Sequence, residues 1–199
     1  MNGRALLVSP LGFLIGVSLG ALGGGGSILA VPILVYAAGE SPQAATTTSL
    51  VIVGAASLVG MVAHLRAGRV RVLPGVLFGL AGVGSIVGLT TGFFGVGGGF
   101  IVVPALVLAL RFDMAEAVGT SLLVIAINSA VAIAGRVGNA GVDWAFAAPF
   151  TIAALLGVSV GKRVADRLPI VTLVRWFVGL LLVLAVYVAI RAGLALQSA

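Results

Sequence analysis

The chain has 199 residues, of which 61% are hydrophobic and 8% are charged, and its formal net charge is +6. A soluble domain carries about 25% charged residues, so this composition excludes a water-soluble fold and indicates a membrane protein. The absence of cysteine excludes disulfides and thiolate metal sites. Since the basic residues form no stripe interleaved with aromatic residues, the sequence predicts no nucleic-acid partner. It also predicts no metal or other cofactor.

Long apolar stretches divide the chain into candidate membrane segments. A stretch of about 18 or more uncharged apolar residues can cross the hydrocarbon core as a helix, and the period-two alternation of a β-barrel is absent. The predicted fold is therefore all-α: one polytopic helical transmembrane domain over residues 1–199. Its six predicted segments are 5–38, 43–65, 72–110, 115–135, 144–161 and 170–190.

The first and third segments are too long for one crossing, because about 34 helical residues would extend roughly 50 Å. Each contains a glycine run, Gly23–Gly26 in the first and Gly95–Gly99 in the third. Glycine costs about 1 kcal/mol inside a helix, so the run is the expected break. We predict a helix, an irregular turn at the glycines, and a short helix from about Ser27 or Phe100. The sequence leaves open whether that short helix crosses the bilayer or doubles back as a re-entrant hairpin.

The short connections carry helix-start signals. Ser41 followed by Pro42 predicts an N-cap and a proline in the first turn. Asp113 and Glu116 have the spacing of a capping box. His64 lies where a segment is expected to leave the bilayer, so it is interpreted as an interfacial anchor.

An internal repeat relates the two glycine runs at a fixed offset of about 72 residues. We predict a shortened first repeat at about 11–82 and a second repeat at about 83–199. Gene duplication is the simplest explanation. The positions that recur are Gly23, Gly25, Gly26, Val31, Pro32, Ala45, Thr48, Ser49, Leu50, Ser57 and Val70, which match Gly95, Gly97, Gly98, Val103, Pro104, Ala117, Thr120, Ser121, Leu122, Ser129 and Val142.

A broken membrane helix exposes backbone groups that need a partner. The N-terminus of the short helix after each run offers N–H groups and the positive end of its dipole, which favour an anion. The alternative is that the glycines only allow close packing or a kink. Two runs, each followed by a proline at matching spacing, favour a functional role.

Hydroxyl side chains open the segment after each run. Ser57 continues one face from Ser49, and Asn128 continues one face from Ser121. We predict that the first glycine turn lies near the midplane, about 16–18 Å from the interface at Glu40, and that Thr48 and Ser49 lie about 10 Å into the same leaflet. The hydroxyl faces are candidate pore linings, although serine and threonine also bond their own backbone harmlessly. The predicted substrate-binding residues are Gly24, Gly25, Gly26, Ser27, Thr48, Ser49, Gly97, Gly98, Gly99, Thr120, Ser121 and Asn128.

The second copy reads GVGGGFIVVP at 95–104 and EAVGTSL at 116–122. A glycine-rich motif with a downstream proline and a threonine-serine pair resembles the sulfite exporter TauE/SafE family, also called the four-toluene sulfonate uptake permeases. The resemblance implies transport of sulfite or organosulfonates across the bacterial inner membrane. Since no nucleophile, base and orienting partner occur at a plausible spacing, the sequence predicts no enzymatic activity.

The first half departs from that family by lacking about two helices. The polar face of segment 43–65, which carries Ser49 and Ser57, should then need a cover, and a second copy of the chain is the nearest one. The sequence thus predicts a homo-oligomer. The other predicted partners are the lipid bilayer and a small anionic substrate. The alternative function is a truncated membrane protein with a structural or oligomer-forming role and no transport.

Overall fold

The computed structural model describes residues 3–83, 99–136 and 144–167, together with isolated positions between 169 and 190. Every regular element in this part of the chain is helical, which confirms the predicted all-α fold. The helices, in chain order, are α1 (Gly3–Leu22), α2 (Pro42–Leu65), α3 (Val72–Val83), α4 (Gly99–Leu110), α5 (Met114–Ala134) and α6 (Trp144–Ala165).

Three of the described helices are long and apolar enough to span a membrane: α2, α5 and residues 147–165 of α6. α2 begins as predicted, since the Ser41 side chain accepts a hydrogen bond from the Ala44 N–H at 3.4 Å. α5 does not use the predicted capping box. Asp113 has the extended backbone of an N-cap but makes no side-chain cap bond, and Glu116 pairs with Arg71 instead.

α1 ends at the first glycine run, as predicted. Gly23 has a φ of +66°, a left-handed conformation that favours glycine. The chain continues as a 3-10 helix at Gly23–Leu29, one α-helical turn at Ala30–Pro32 and a π-helical turn at Ile33–Ala37. We refer to residues 23–37 as the arm.

α1 and α6 lie side by side in parallel. Gly12, Gly16 and Gly20 follow each other at four-residue spacing and face the carbonyl oxygens of Phe150, Ala154 and Val158 in turn. The small residues let the two backbones approach closely, as is common between membrane helices. Close helix packing through glycine therefore occurs at Gly12, Gly16 and Gly20, outside the glycine runs.

α2 and α5, which occupy equivalent positions in the two repeats, are antiparallel. Gly54 packs against Ser129 and Gly60 against Leu122, and Arg136 after the end of α5 bonds residues in the first turns of α2. We call the end where α2 finishes and α5 begins the His64 end, and the opposite end the Ser41 end. α1 and α6 both run toward the His64 end.

The arm doubles back along α1. A Cβ on Gly26 would lie 2.5 Å from the Leu19 nitrogen, so the arm runs against the helix that precedes it. After the arm, the chain reaches Ser41, at the end of the bundle where α1 begins. For the first glycine run, the structure therefore shows a re-entrant hairpin, whereas most of the second run, at 95–98, lies outside the described residues.

The structure corrects the reason for expecting a homo-oligomer. Ser49, Val53 and Ser57 are all fully buried within the single chain, because α5 covers the polar face of α2. A second copy is not needed to shield these side chains from lipid. The expected oligomer loses its physical argument.

Candidate functional site

The first glycine run is held by a network of short polar contacts. The Gly24 N–H donates to Ser121 Oγ at 3.3 Å, and Ser27 Oγ donates to the Gly24 carbonyl at 2.7 Å. Ser121 Oγ in turn donates to the Val118 carbonyl at 2.8 Å. We call Gly23 and Gly24 the glycine turn. The glycine turn after α1 thus binds a serine of α5.

Only glycine fits at position 23 of this turn. A Cβ on Gly23 would lie 2.4 Å from Ser121 Oγ and 3.0 Å from the Val118 carbonyl oxygen. The positive φ of Gly23 adds backbone strain for any residue that has a Cβ. The backbone therefore approaches the serine more closely than any other residue type would permit.

The loop between α2 and α3 closes over the start of α5 at the His64 end. The Arg71 N–H donates to Thr120 Oγ1 at 3.1 Å. The Arg71 guanidinium donates to both carboxylate oxygens of Glu116 at 3.0 Å and lies 5.1 Å from the centre of the Phe112 ring. Thr120 is thereby engaged by the loop backbone, next to the serine that holds the glycine turn.

A second ion pair fastens the same loop to α6. Arg69 donates to the Asp166 carboxylate, and this hydrogen bond lowers the pKa of Asp166 from its ordinary value. Both side chains are about one-third exposed, so water and salt screen the pair.

The lowered pKa predicts a small loss of stability in acid. A depressed folded-state pKa contributes stability that is fully present above the unfolded value of about 3.9 and is lost as the pH falls through the folded value. We expect the Asp166→Asn variant to be less stable than wild type at pH 7 and to approach wild type as the pH falls below 4. Thermal unfolding in detergent between pH 3 and pH 7 measures this, and a difference that does not shrink in acid would contradict it.

The hydroxyl pair of the first repeat lies near the Ser41 end. Thr48 Oγ1 donates to Glu40 Oε1 at 3.5 Å, and Ser49 Oγ donates to the Thr46 carbonyl at 2.9 Å. Ser49 therefore bonds the backbone of its own helix, which is the alternative to a pore-lining role. Neither side chain meets the glycine turn.

Asn128 is the most unusual polar residue of α5. It is half-buried, and its Oδ1 is shielded from solvent without a hydrogen-bond partner among the described residues. It lies seven residues after Ser121, on the same helical face. Ser57 Oγ and Ser129 Oγ are also buried without a described partner. Since such groups are costly in a membrane interior, the α2–α5 region retains unmet hydrogen-bonding capacity.

The structure brings together only part of the predicted site. Gly24, Ser27 and Ser121 form one network with Thr120 adjacent, and Gly25 and Gly26 belong to the same 3-10 helix. Gly99 is the first residue of α4, whereas Gly97 and Gly98 lie outside the described residues. The turn is also not at the middle of the bundle. It contacts Val118 and Ser121, within the first eight residues of α5.

The sequence reasoning missed the roles of Gly23, Arg71 and His64. Gly23 follows the last helical residue of α1, and a glycine there is the usual signal of a left-handed cap. His64 is not an interfacial anchor, because it is only 2% exposed and its Nε2 lies 3.4 Å from the Gly20 carbonyl oxygen. In the described part of the chain, no group of three His, Asp or Glu side chains could hold a metal ion.

Comparison with known proteins agrees with this architecture. The sequence profile of the family described as "Sulfite exporter TauE/SafE" matches residues 8–84 and 74–188. No solved structure matches the chain significantly.

Curated bacterial relatives are also similar, two of them over most of the chain and one over less than half. A "Probable membrane transporter protein" of Xylella fastidiosa strain 9a5c is 30% identical over 216 residues, which covers 78% of this chain and 83% of the relative. Its counterpart in strain Temecula1 is 29% identical with 79% and 83% coverage. A "Probable membrane transporter protein YunE" of Bacillus subtilis is 29% identical over 92 residues, or 46% of this chain and 34% of the relative. The chain belongs to the sulfite exporter TauE/SafE family of membrane transporters.

Proposed function

We propose that this chain exports a small sulfur-containing oxyanion, such as sulfite or an organosulfonate, across the bacterial inner membrane. The anion site is the glycine turn together with Thr120 and Ser121. The observation that carries the proposal is the bond from the Gly24 N–H to Ser121 Oγ, in which an N–H donor and a hydroxyl from different repeats converge. The chemical identity of the anion is taken from the description of the family.

The contacts at the turn are suited to exchange with an anion. At 3.3 Å the Gly24 bond is longer than an ordinary N–H···O bond, so giving it up costs little. An oxyanion entering beside Ser121 would accept the Gly24 N–H in its place. It would also accept the Ser121 hydroxyl, which now donates to Val118. Both replacement bonds would be charge-assisted and stronger than the ones they replace.

The described state of this site is occluded. Thr120 and Ser121 are fully buried, and the Arg71–Glu116 and Arg69–Asp166 pairs hold the α2–α3 loop over the His64 end. At the Ser41 end, Arg136 donates to Thr46 and Thr47 at 3.1 Å each. Opening one set of contacts at a time would give the anion access from one side only.

The membrane potential favours outward movement of an anion. An inside-negative membrane favours anion exit by about 2.3 kcal/mol per charge per 100 mV. The proposal therefore needs no enzymatic step and no cofactor.

The shortened first repeat and the homo-oligomer remain proposals. The alignment with the Xylella 9a5c relative is longer, at 216 residues, than the whole 199-residue chain. It therefore contains gaps in this chain, which supports the loss of a segment that relatives retain.

Removing the serine hydroxyl tests the site. We expect Ser121→Ala to weaken binding of sulfite or methanesulfonate about tenfold, since the loss of one hydrogen bond to a charged ligand costs about 1.5–3 kcal/mol. The matched control is Ser159→Ala, because Ser159 is exposed on α6 and bonds only the Leu155 carbonyl. Isothermal titration of the purified variants measures both affinities. Equal affinities of the Ser121 variant and wild type would remove Ser121 from the site.

A further inference from the structure

His64 is a buried imidazole that the proposed anion site does not use. It is the single histidine of the chain, it lies in the last turn of α2 and it is 2% exposed. Its Nε2 lies 3.4 Å from the Gly20 carbonyl oxygen. A carbonyl oxygen can only accept, so Nε2 carries the hydrogen and Nδ1 of the neutral ring holds the free lone pair.

That lone pair is shielded from solvent but has no hydrogen-bond partner among the described residues. A buried acceptor without a partner costs about 1–3 kcal/mol. A proton can bind at this atom without disturbing the bond to Gly20. Nδ1 can therefore gain a proton while the bond from Nε2 to Gly20 keeps the ring in its position.

His64 lies next to the glycine turn from two directions. On α1, Gly20 precedes Gly23 by three residues, which is less than one helical turn of about 5.4 Å. On α5, a Cβ on Gly119 would lie 3.1 Å from His64 Cβ, and Thr120 and Ser121 follow Gly119 directly. A positive charge on the ring would thus be felt by an anion at the turn.

The charged side chains around His64 carry a net positive charge. Burial opposes a positive charge on the ring most strongly, whereas the bond to the Gly20 carbonyl favours it. Among the charged side chains, Lys162 on α6 and Arg69 in the loop oppose that charge, and Asp166 favours it. Asp166 is already paired with Arg69. α1 and α5 face the ring with Gly20 and Gly119, which carry no charge. An anion would offset the excess of positive charge.

We propose that His64 binds a proton together with the anion, so that the two ligands strengthen each other's binding. This inference rests on the proposed anion site. Coupling between two binding sites is reciprocal and is typically 5- to 150-fold. Protonation of Nδ1 raises the affinity of the turn for an oxyanion, and the oxyanion raises the affinity of Nδ1 for a proton. Binding of the anion is then accompanied by a net uptake of protons by the ring.

Isothermal titration of the full-length protein in detergent with methanesulfonate tests the linkage, because this anion stays ionised between pH 5.5 and pH 8.5. We expect wild type to bind it about tenfold more tightly at pH 5.5 than at pH 8.5. His64→Gln should bind with the same affinity at both values. Asp113→Asn is the control, since Asp113 is exposed and makes no cap bond; it should keep the pH dependence of wild type.

A second measurement uses unaltered protein. Because the chain has one histidine, the ring resonances of His64 can be assigned without ambiguity in an NMR spectrum. Adding methanesulfonate at pH 7 should increase the protonated fraction of the ring. An unchanged ring, a pH-independent affinity of wild type, or a pH dependence retained in His64→Gln would each overturn the linkage alone. Absence of binding at every pH would overturn the anion site itself, and the linkage with it.

Discussion

Transport is expected to be lost when Gly23 is replaced by alanine. The added Cβ would lie 2.4 Å from Ser121 Oγ, and the positive φ of +66° costs about 1–2 kcal/mol for a residue with a Cβ. The turn must then move away from Ser121 and separate the two donors that the anion requires. We expect at least a hundredfold lower rate of anion efflux from proteoliposomes, since transition-state contacts worth about 3 kcal/mol are removed.

Gly39 provides a matched control for backbone strain. Its φ is +74°, close to that of Gly23, but a Cβ there would meet nothing within 4 Å. Gly39→Ala therefore pays the same conformational cost without the steric clash, and its efflux should stay near that of wild type. If both variants lost transport equally, strain alone would explain the result and the contact with Ser121 would be irrelevant.

Alanine at Gly16 is expected to destabilise the whole bundle. Its Cβ would lie 2.0 Å from the Ala154 carbonyl oxygen, so α1 and α6 would have to separate by on the order of 1 Å to restore an ordinary contact. Overpacking of this kind costs about 1–3 kcal/mol. We expect a clearly lower midpoint of thermal unfolding in detergent and a smaller folded yield.

The control for this effect is Gly179→Ala. Gly179 is exposed, and a Cβ there would meet nothing within 4 Å. Since alanine favours helix over glycine, this variant should be as stable as wild type or slightly more stable. An unfolding midpoint of Gly16→Ala equal to that of Gly179→Ala would show that the α1–α6 contact is looser than described.

The sequence predicted the helical class and the break in the first segment because both follow from local chemistry. Charge-free apolar length predicts spanning helices, and a glycine run opposes helix continuation. The Ser41 cap followed for the same reason. By contrast, the predicted capping box at Asp113 was wrong, because Glu116 forms an ion pair with Arg71, which is distant in sequence.

The contacts across the repeats were beyond local reasoning. The sequence places Gly24 and Ser121 in separate copies of one motif, and it does not say that the turn of one copy binds the hydroxyl of the other. The burial of His64 and Ser57 likewise depends on the antiparallel packing of α2 and α5. Because the same packing buries Ser49 and Ser57, a second copy of the chain is not needed to cover them.

Efflux of radiolabelled sulfite from proteoliposomes tests the central claim most directly. Purified wild-type protein is reconstituted, the vesicles are loaded with sulfite, and release is compared with vesicles that contain Gly23→Ala or no protein. The account predicts rapid release with wild type and release near the protein-free rate with the variant. Release with wild type no faster than from protein-free vesicles, for methanesulfonate as well as sulfite, would contradict it and favour a structural role for this member of the family.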